Sequence, residues 1–234
     1  MVSSGECVVE IRRFPAGPLV TNTYLVWSRE SRSGFAVDPG WPDVGSMLAK
    51  YAREMNLSIK SVILTHGHFD HVLGVESLIN ELEDSAEKPE VLISREDLGL
   101  AARASDLAYR WLGVKVKRGF DPGIVTGFLE DMEVYSFGGI ECKALHTPGH
   151  TEGSYSLACG GMVFTGDTLF KGSIGRTDLP GGSWSRMMAS LRRLSSLPPD
   201  TNVYPGHGPE TTIGEEARHN QYVRMAWLGG AVTF

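Results

Sequence analysis

Apolar and polar positions recur with two periods along this chain, and the switches between them predict its elements. Val8, Glu10 and Arg12 alternate loosely with Val9, Ile11 and Arg13. Cys7 to Phe14 and Asn22 to Trp27 read as strands joined by a Pro-Ala-Gly-Pro turn. Gly34 to Val37 is a third short strand, ending in the turn cluster DPGWPD. Helical spacing follows, with Val44, Met47, Leu48, Tyr51 and Met55 on one predicted face. The apolar run SVILTH suits a buried strand that stops at His66, and Val72, Val75, Leu78, Ile79 and Leu82 return to helical spacing. Val91 to Ser94 reads as a strand, and Arg95 to Trp111 as a helix capping the sheet edge.

Glu141 to Leu145, Ser154 to Ala158 and Met162 to Phe164 are predicted strands, followed respectively by HTPGH, a turn and Gly-Asp. Trp184 to Leu194 is an amphipathic helix, Val203 and Tyr204 a last short strand, and Gly214 to Trp227 a helical tail. Strand clusters in both halves with helices between them predict an α/β (α+β) fold, an αββα sandwich of two mixed β-sheets flanked by helices. The expectation is one domain over residues 1–234.

Composition narrows the class. The chain is 41% hydrophobic and 21% charged, which is globular rather than disordered. A net charge of −6 gives no electrostatic reason to bind nucleic acid. The start lacks a basic segment followed by a long apolar run, and no apolar run reaches spanning length. Cys7, Cys142 and Cys159 are odd in number and widely spaced, so they are read as small core residues without disulfides. These features predict a cytoplasmic protein, monomeric or homodimeric, with a small-molecule substrate and no nucleic-acid or membrane partner.

The chemistry concentrates in HGHFDH. A lone histidine is most often structural, but His66, His68, Asp70 and His71 put four potential ligands into one strand-to-helix turn. Alternate residues of an extended turn project to one side, so His66 and His68 can grip one metal while Asp70 and His71 face a second. Three later residues share a form. His150 closes HTPGH, Asp167 closes FTGD and His207 sits in YPGHGP, each after a strand end and beside glycine. Seven ligands suit two divalent metal ions sharing a carboxylate, with zinc expected first and iron or manganese as alternatives.

HGHFDH followed in order by HTPGH, TGDTLF and YPGHG resembles the metallo-β-lactamase superfamily, over roughly Gly17 to the tail. That resemblance implies the αββα fold. It assigns His66, His68 and His150 to metal one, Asp70, His71 and His207 to metal two, and Asp167 as the bridge. GDTLFKGSIGRTDLPGG is similar to the short, single-domain glyoxalase II-like hydrolases, which implies a hydroxyacylglutathione hydrolase-like thioesterase using a metal-activated water. In that reaction Asp70 would steer the attacking water as well as bind metal two.

The residues after His207 leave room for about one or two helices, so the glutathione-holding helical domain of true glyoxalase II enzymes is not expected. IGRTD is also similar to the persulfide dioxygenases, which implies a mononuclear-iron alternative on the same scaffold. Thioester chemistry suits a site without an evident general acid, because a thiol with a pKa of about 8 to 9 leaves readily as thiolate. Arg176 is expected either to bind a substrate carboxylate or to pair with Asp178. Tyr109 and Trp111 are candidate substrate contacts. His146 is expected to orient a neighbour, and His219 to sit on a helix surface.

Overall fold

The computed structural model describes residues 8–82, 88–117 and 119–228. Its first sheet has the order β1 (Val9–Ala16), β2 (Thr21–Ser28), β3 (Ser33–Val37), β4 (Ser58–Ile63), β5 (Glu90–Ile93), β6 (Gly127–Phe128). The first three strands are antiparallel, and β3 through β6 are parallel. Parallel neighbours need long crossovers. Helix α1 (Pro42–Glu54) makes the first, and α2 (Phe69–Val72) with α3 (Val75–Glu81) lies in the second. Helices α4 (Leu98–Ala101) and α5 (Ala104–Leu112) precede β6.

The second sheet contains β7 (Val134–Phe137), β8 (Ile140–His146), β9 (Tyr155–Cys159) and β10 (Met162–Gly166) as an antiparallel meander. The ribbon of β11 (Leu169–Phe170) and β12 (Ser173–Ile174), then α6 (Trp184–Leu194), lead to β13 (Asn202–Pro205) beside β10. An edge strand, β14 (Thr211–Thr212), and helices α7 (Ile213–His219) and α8 (Gln221–Leu228) finish the described chain. Both sheets are mixed, as the αββα reading requires.

The apolar residues divide into three interfaces. Tyr24, Val26, Phe35, Ile63, Phe137 and Phe164 fill the space between the sheets. Val44, Leu48, Val75, Leu78 and Ala108 seal α1, α3 and α5 onto the first sheet. Met187, Leu191, Leu194 and Val223 do the same for α6 and α8 on the second. No helix among the described residues is long and apolar enough to cross a membrane.

Several local expectations shift. The buried face of α1 is Val44, Gly45, Leu48, Ala49 and Ala52, whereas Met47 and Met55 are exposed. Small residues win because α1 packs closely on the turn before α3, and a Cβ on Gly45 would collide with the carbonyl of Gly74. The predicted 95–111 helix is two helices, broken between Ala101 and Ala104. The helical tail is divided at Asn220. Its backbone is extended, and its buried amide donates to the Phe170 and Ser173 carbonyls and to Glu216.

The cysteine reading is overturned for one pair. Cys142 and Cys159 form a disulfide between β8 and β9. The β8–β9 register pairs Lys143 with Ala158, which sets these two cysteines directly opposite. Sequence separation hides this, because only strand register reveals it. Cys7 lies outside the described residues.

Candidate metal centre

Every predicted ligand follows the C-terminal end of a strand. His66 and His68 follow β4, with Asp70 and His71 opening α2 just beyond. His150, Asp167 and His207 follow β8, β10 and β13. These last three strands run parallel to one another, since β8 and β10 flank β9 antiparallel and β13 pairs parallel with β10. Their carboxyl ends therefore emerge at one edge of the second sheet, facing the end of β4.

The seven side chains converge there. Three sets have ligand atoms within 4.8 Å of one another: His66, His68 and His150; His66, His71 and Asp167; and Asp70, His71 and His207. Asp167 lies between the two outer sets. Its Oδ1 is 3.4 Å from His71 Nε2, and its Oδ2 is 3.4 Å from His150 Nε2 and 3.5 Å from His207 Nε2. Asp70 Oδ2 is 3.3 Å from His207 Nε2 and accepts a 2.7 Å hydrogen bond from Thr21 Oγ1.

The orientation of the rings matches what a metal needs. His66 Nδ1 meets Thr65 Oγ1 at 3.1 Å, His71 Nδ1 meets Asp38 Oδ2 at 2.9 Å, and His150 Nδ1 donates to the Arg176 carbonyl at 2.8 Å. Each contact occupies the outer nitrogen and aims Nε2 inward, as neighbours of metal-binding histidines do. His66 Nε2, His71 Nε2 and Asp167 Oδ1 are buried without any hydrogen-bond partner. Such orphaned atoms are costly in a folded protein unless something satisfies them. Imidazole and carboxylate donors left open in this way fit divalent cations.

The protonation states divide the ligands, and a metal would displace the proton that the carboxylates hold on His71. Burial drives His66 well down and His68 to about 4, reinforced by neighbouring histidines, so both rings are neutral donors. Burial also opposes charge on His71, but Asp70, Asp167 and Asp38 outweigh it and raise its pKa. Burial would raise Asp70 and Asp167, yet His71 and His207 hold Asp70 down to about 2, and His71, His150 and His207 hold Asp167 well below the usual carboxylate range.

The cluster forms the floor of an open cavity of about 770 Å³, lined by His68, Asp70, His150, Asp167 and His207 among others. A model of the metallo-β-lactamase superfamily matches residues 16–207. The chain belongs to the metallo-β-lactamase superfamily.

Within that superfamily the chain is 33% identical to a probable metallo-hydrolase, YqgX, of Bacillus subtilis (strain 168), covering 91% of this chain and 96% of that protein. It is 31% identical to hydroxyacylglutathione hydrolase GloC of Haemophilus influenzae, covering 92% and 98%. Among solved structures, TTHA1623 in a di-iron-bound form superposes with a TM-score of 0.77 at 38% identity, covering 90% of this chain and 99% of that one. Superfamily membership and the open donor set together assign divalent metal binding to this edge.

The remaining predicted residues separate. Trp111 lines the cavity, whereas Tyr109 does not: its ring lies against the Lys115 ammonium, 5.7 Å away. Helix spacing turns Tyr109 away, two residues from a position that faces in. Arg176 lines the cavity near Trp111, but its guanidinium makes two 2.8 Å bonds to Asp178. Its carbonyl, rather than its charge, touches a ligand through His150 Nδ1. His146 bonds the Glu152 carbonyl at 3.0 Å and lies against the Tyr155 ring. His219 is exposed on α7, 3.8 Å from Glu215.

Two positioning carboxylates were not singled out in the sequence. Asp38 accepts from Thr65 N at 2.7 Å and from Thr65 Oγ1 at 2.6 Å while holding His71. Asp97 accepts from the amides of Gly67 and Gly153 and from Thr151 Oγ1, pinning the first ligand turn against the turn after His150. Burial raises the pKa of Asp97, against the pull of those three bonds. Asp38 ends the apolar strand GFAV as Asp167 ends FTG, so the strand-end form was there to be read. The backbone of Asp38 is left-handed, with φ +49°, which asparagine also tolerates. Asp38→Asn should therefore fold, and should weaken metal binding about 10–100-fold in a competitive chelator titration. Unchanged affinity would remove Asp38 from the site.

Proposed function

We propose that this chain is a binuclear metallohydrolase that cleaves small acyl-thioesters to a carboxylate and a thiol, as glyoxalase II-like enzymes do. The observation that carries the reading is the cavity lining. Among the described residues that line it, the titratable ones other than the ligands are arginines, with no lysine, tyrosine, glutamate or cysteine. A guanidinium cannot give up a proton near neutrality. An amide nitrogen must be protonated as it leaves, whereas a thiolate departs unaided, so this lining favours the thioester. The relation to GloC supports the same substrate class.

In this reading His66, His68 and His150 hold one metal, Asp70, His71 and His207 hold the other, and Asp167 spans the two. Bound there, the pair would lower the pKa of water and polarise the acyl carbonyl. The protein fixes the geometry. Asp38 sets the tautomer and tilt of His71, and the Arg176 carbonyl sets those of His150. Thr21 holds Asp70 so that one carboxylate can bind metal two and orient the attacking water. Zinc suits the nitrogen-rich donors, and the di-iron form of TTHA1623 supports iron in the same role.

The single-iron persulfide dioxygenase is the competing reading. The set Asp70, His71 and His207 favours two metals over one, because it would have no task in a mononuclear site. Metal content per chain, measured alongside hydrolysis of S-lactoylglutathione, tests the choice. Two metals with thioester turnover are expected. One iron per chain with oxygen uptake on a persulfide would replace the proposal.

A further inference from the structure

Above the ligands, the outer wall of the cavity is built largely by α5. Arg103, at the start of this helix, then Leu107, Arg110 and Trp111 all line the cavity. Their spacing of four, three and one places them on one side of the helix. The adjoining side carries Ala104 and Ala108, both buried. The helix thus sinks its smallest residues into the core and turns two guanidiniums, a leucine and an indole toward the space over the ligands.

Among the described residues, neither the Arg103 nor the Arg110 guanidinium makes a side-chain hydrogen bond or an ion pair within 4 Å, although Asp106 lies between them on the same helix. Arg176, on the other side of Trp111, is already neutralised by Asp178. Among the described residues, the carboxylates in the lining are Asp70 and Asp167, both engaged with histidines. In a chain of net charge −6, this is a local cationic wall beside an apolar strip. Long cationic side chains bordering a cleft raise the local concentration of anions and select for them.

We propose that Arg103 and Arg110 form an anion-binding wall that takes a carboxylate of the substrate while its reacting carbonyl lies over the ligand cluster. The proposal deepens the thioesterase reading and rests on it for the reacting group. The substrate class is then a carboxylate-bearing acyl-thioester with an apolar stem that lies along Leu107 and Trp111. The recognition needs no added C-terminal domain, because the cationic groups come from a helix before β6.

The test compares the metal-loaded wild type with the double variant Arg103→Gln and Arg110→Gln, which keeps helix propensity. Three substrates are used: S-lactoylglutathione, charged on the thiol side; malonyl-N-acetylcysteamine, charged on the acyl side; and neutral lactoyl-N-acetylcysteamine. The double variant should raise KM about tenfold for a charged substrate, leave kcat nearly unchanged, and leave the neutral thioester unaffected. The charged substrate that responds shows which side carries the carboxylate. Added salt should raise the wild-type KM for that substrate and have a smaller effect on the variant. Equal changes for charged and neutral thioesters, or none for either charged one, would overturn the wall while leaving the hydrolase reading intact.

Quenching of tryptophan fluorescence by S-methylglutathione and by malonate gives a readout that needs no turnover. If the wild type hydrolyses none of the three, the thioesterase reading fails. A quench weakened by the two substitutions would still support the anion site, and a quench identical in both proteins, or absent from both, would overturn it.

Discussion

Stripping bound metal with a chelator will abolish the proposed thioester hydrolysis and lower the melting temperature by about 10 °C. The loss of stability follows from occupancy. A metal present at a thousandfold its Kd stabilises the folded state by about 4 kcal/mol, and a chain of this size moves about 2–4 °C per kcal/mol. The structural source is His66 Nε2, His71 Nε2 and Asp167 Oδ1, all buried without a hydrogen bond. Metal-free protein must bury those atoms unsatisfied or open the edge of the sandwich to water. Scanning calorimetry with and without chelator, and after metal is restored, gives both the shift and its reversal. A melting temperature that stays constant while the metals leave would mean that the cluster is not a metal centre.

Phe164→Ala will cost about 3–5 kcal/mol of folding stability. Phe164 on β10 is fully buried where the two sheets meet. It stacks on Tyr204 at 5.2 Å between ring centroids and meets the edges of Tyr24 at 5.4 Å and Phe35 at 6.0 Å. Two of these rings belong to the first sheet and one to the second, so the cavity left behind would separate both layers. Asp167 lies three residues downstream, and metal affinity should fall in the same variant. Denaturant midpoints measured with and without metal would distinguish the two effects. A loss under 1 kcal/mol would show that neighbouring rings collapse into the gap. Phe164→Leu, which keeps most of the volume, should lose much less.

The layers and the ligand cluster were readable in the sequence for a shared reason. Strands such as SVIL and MVF are short apolar runs that end abruptly in a ligand and a glycine, so one pattern marks both the element and its function. The missed features lack such a pattern. β6, β11, β12 and β14 are two residues each, too short to show any period, and β7 is mostly exposed. The opposition of Cys142 and Cys159 depends on register, and the split of the helical tail depends on what Asn220 meets across space. Asp38 looked like part of a turn because its partners, Thr65 and His71, are distant in sequence. Arg103 and Arg110 carry no motif at all. Only folding shows that they share a side of α5 with Trp111.

The order in which the ligands occur along the chain sets when the centre can be filled. His66, His68, Asp70 and His71 are made together, while His150 and His207 follow 79 and 136 residues after His71. In the two-metal reading, neither ion would have its full set of protein donors before the second sheet is made, since His150 belongs to one set and His207 to the other. Loading would therefore wait until both halves of the sandwich exist. Protein made in medium poor in metal should take up cations when they are added afterwards.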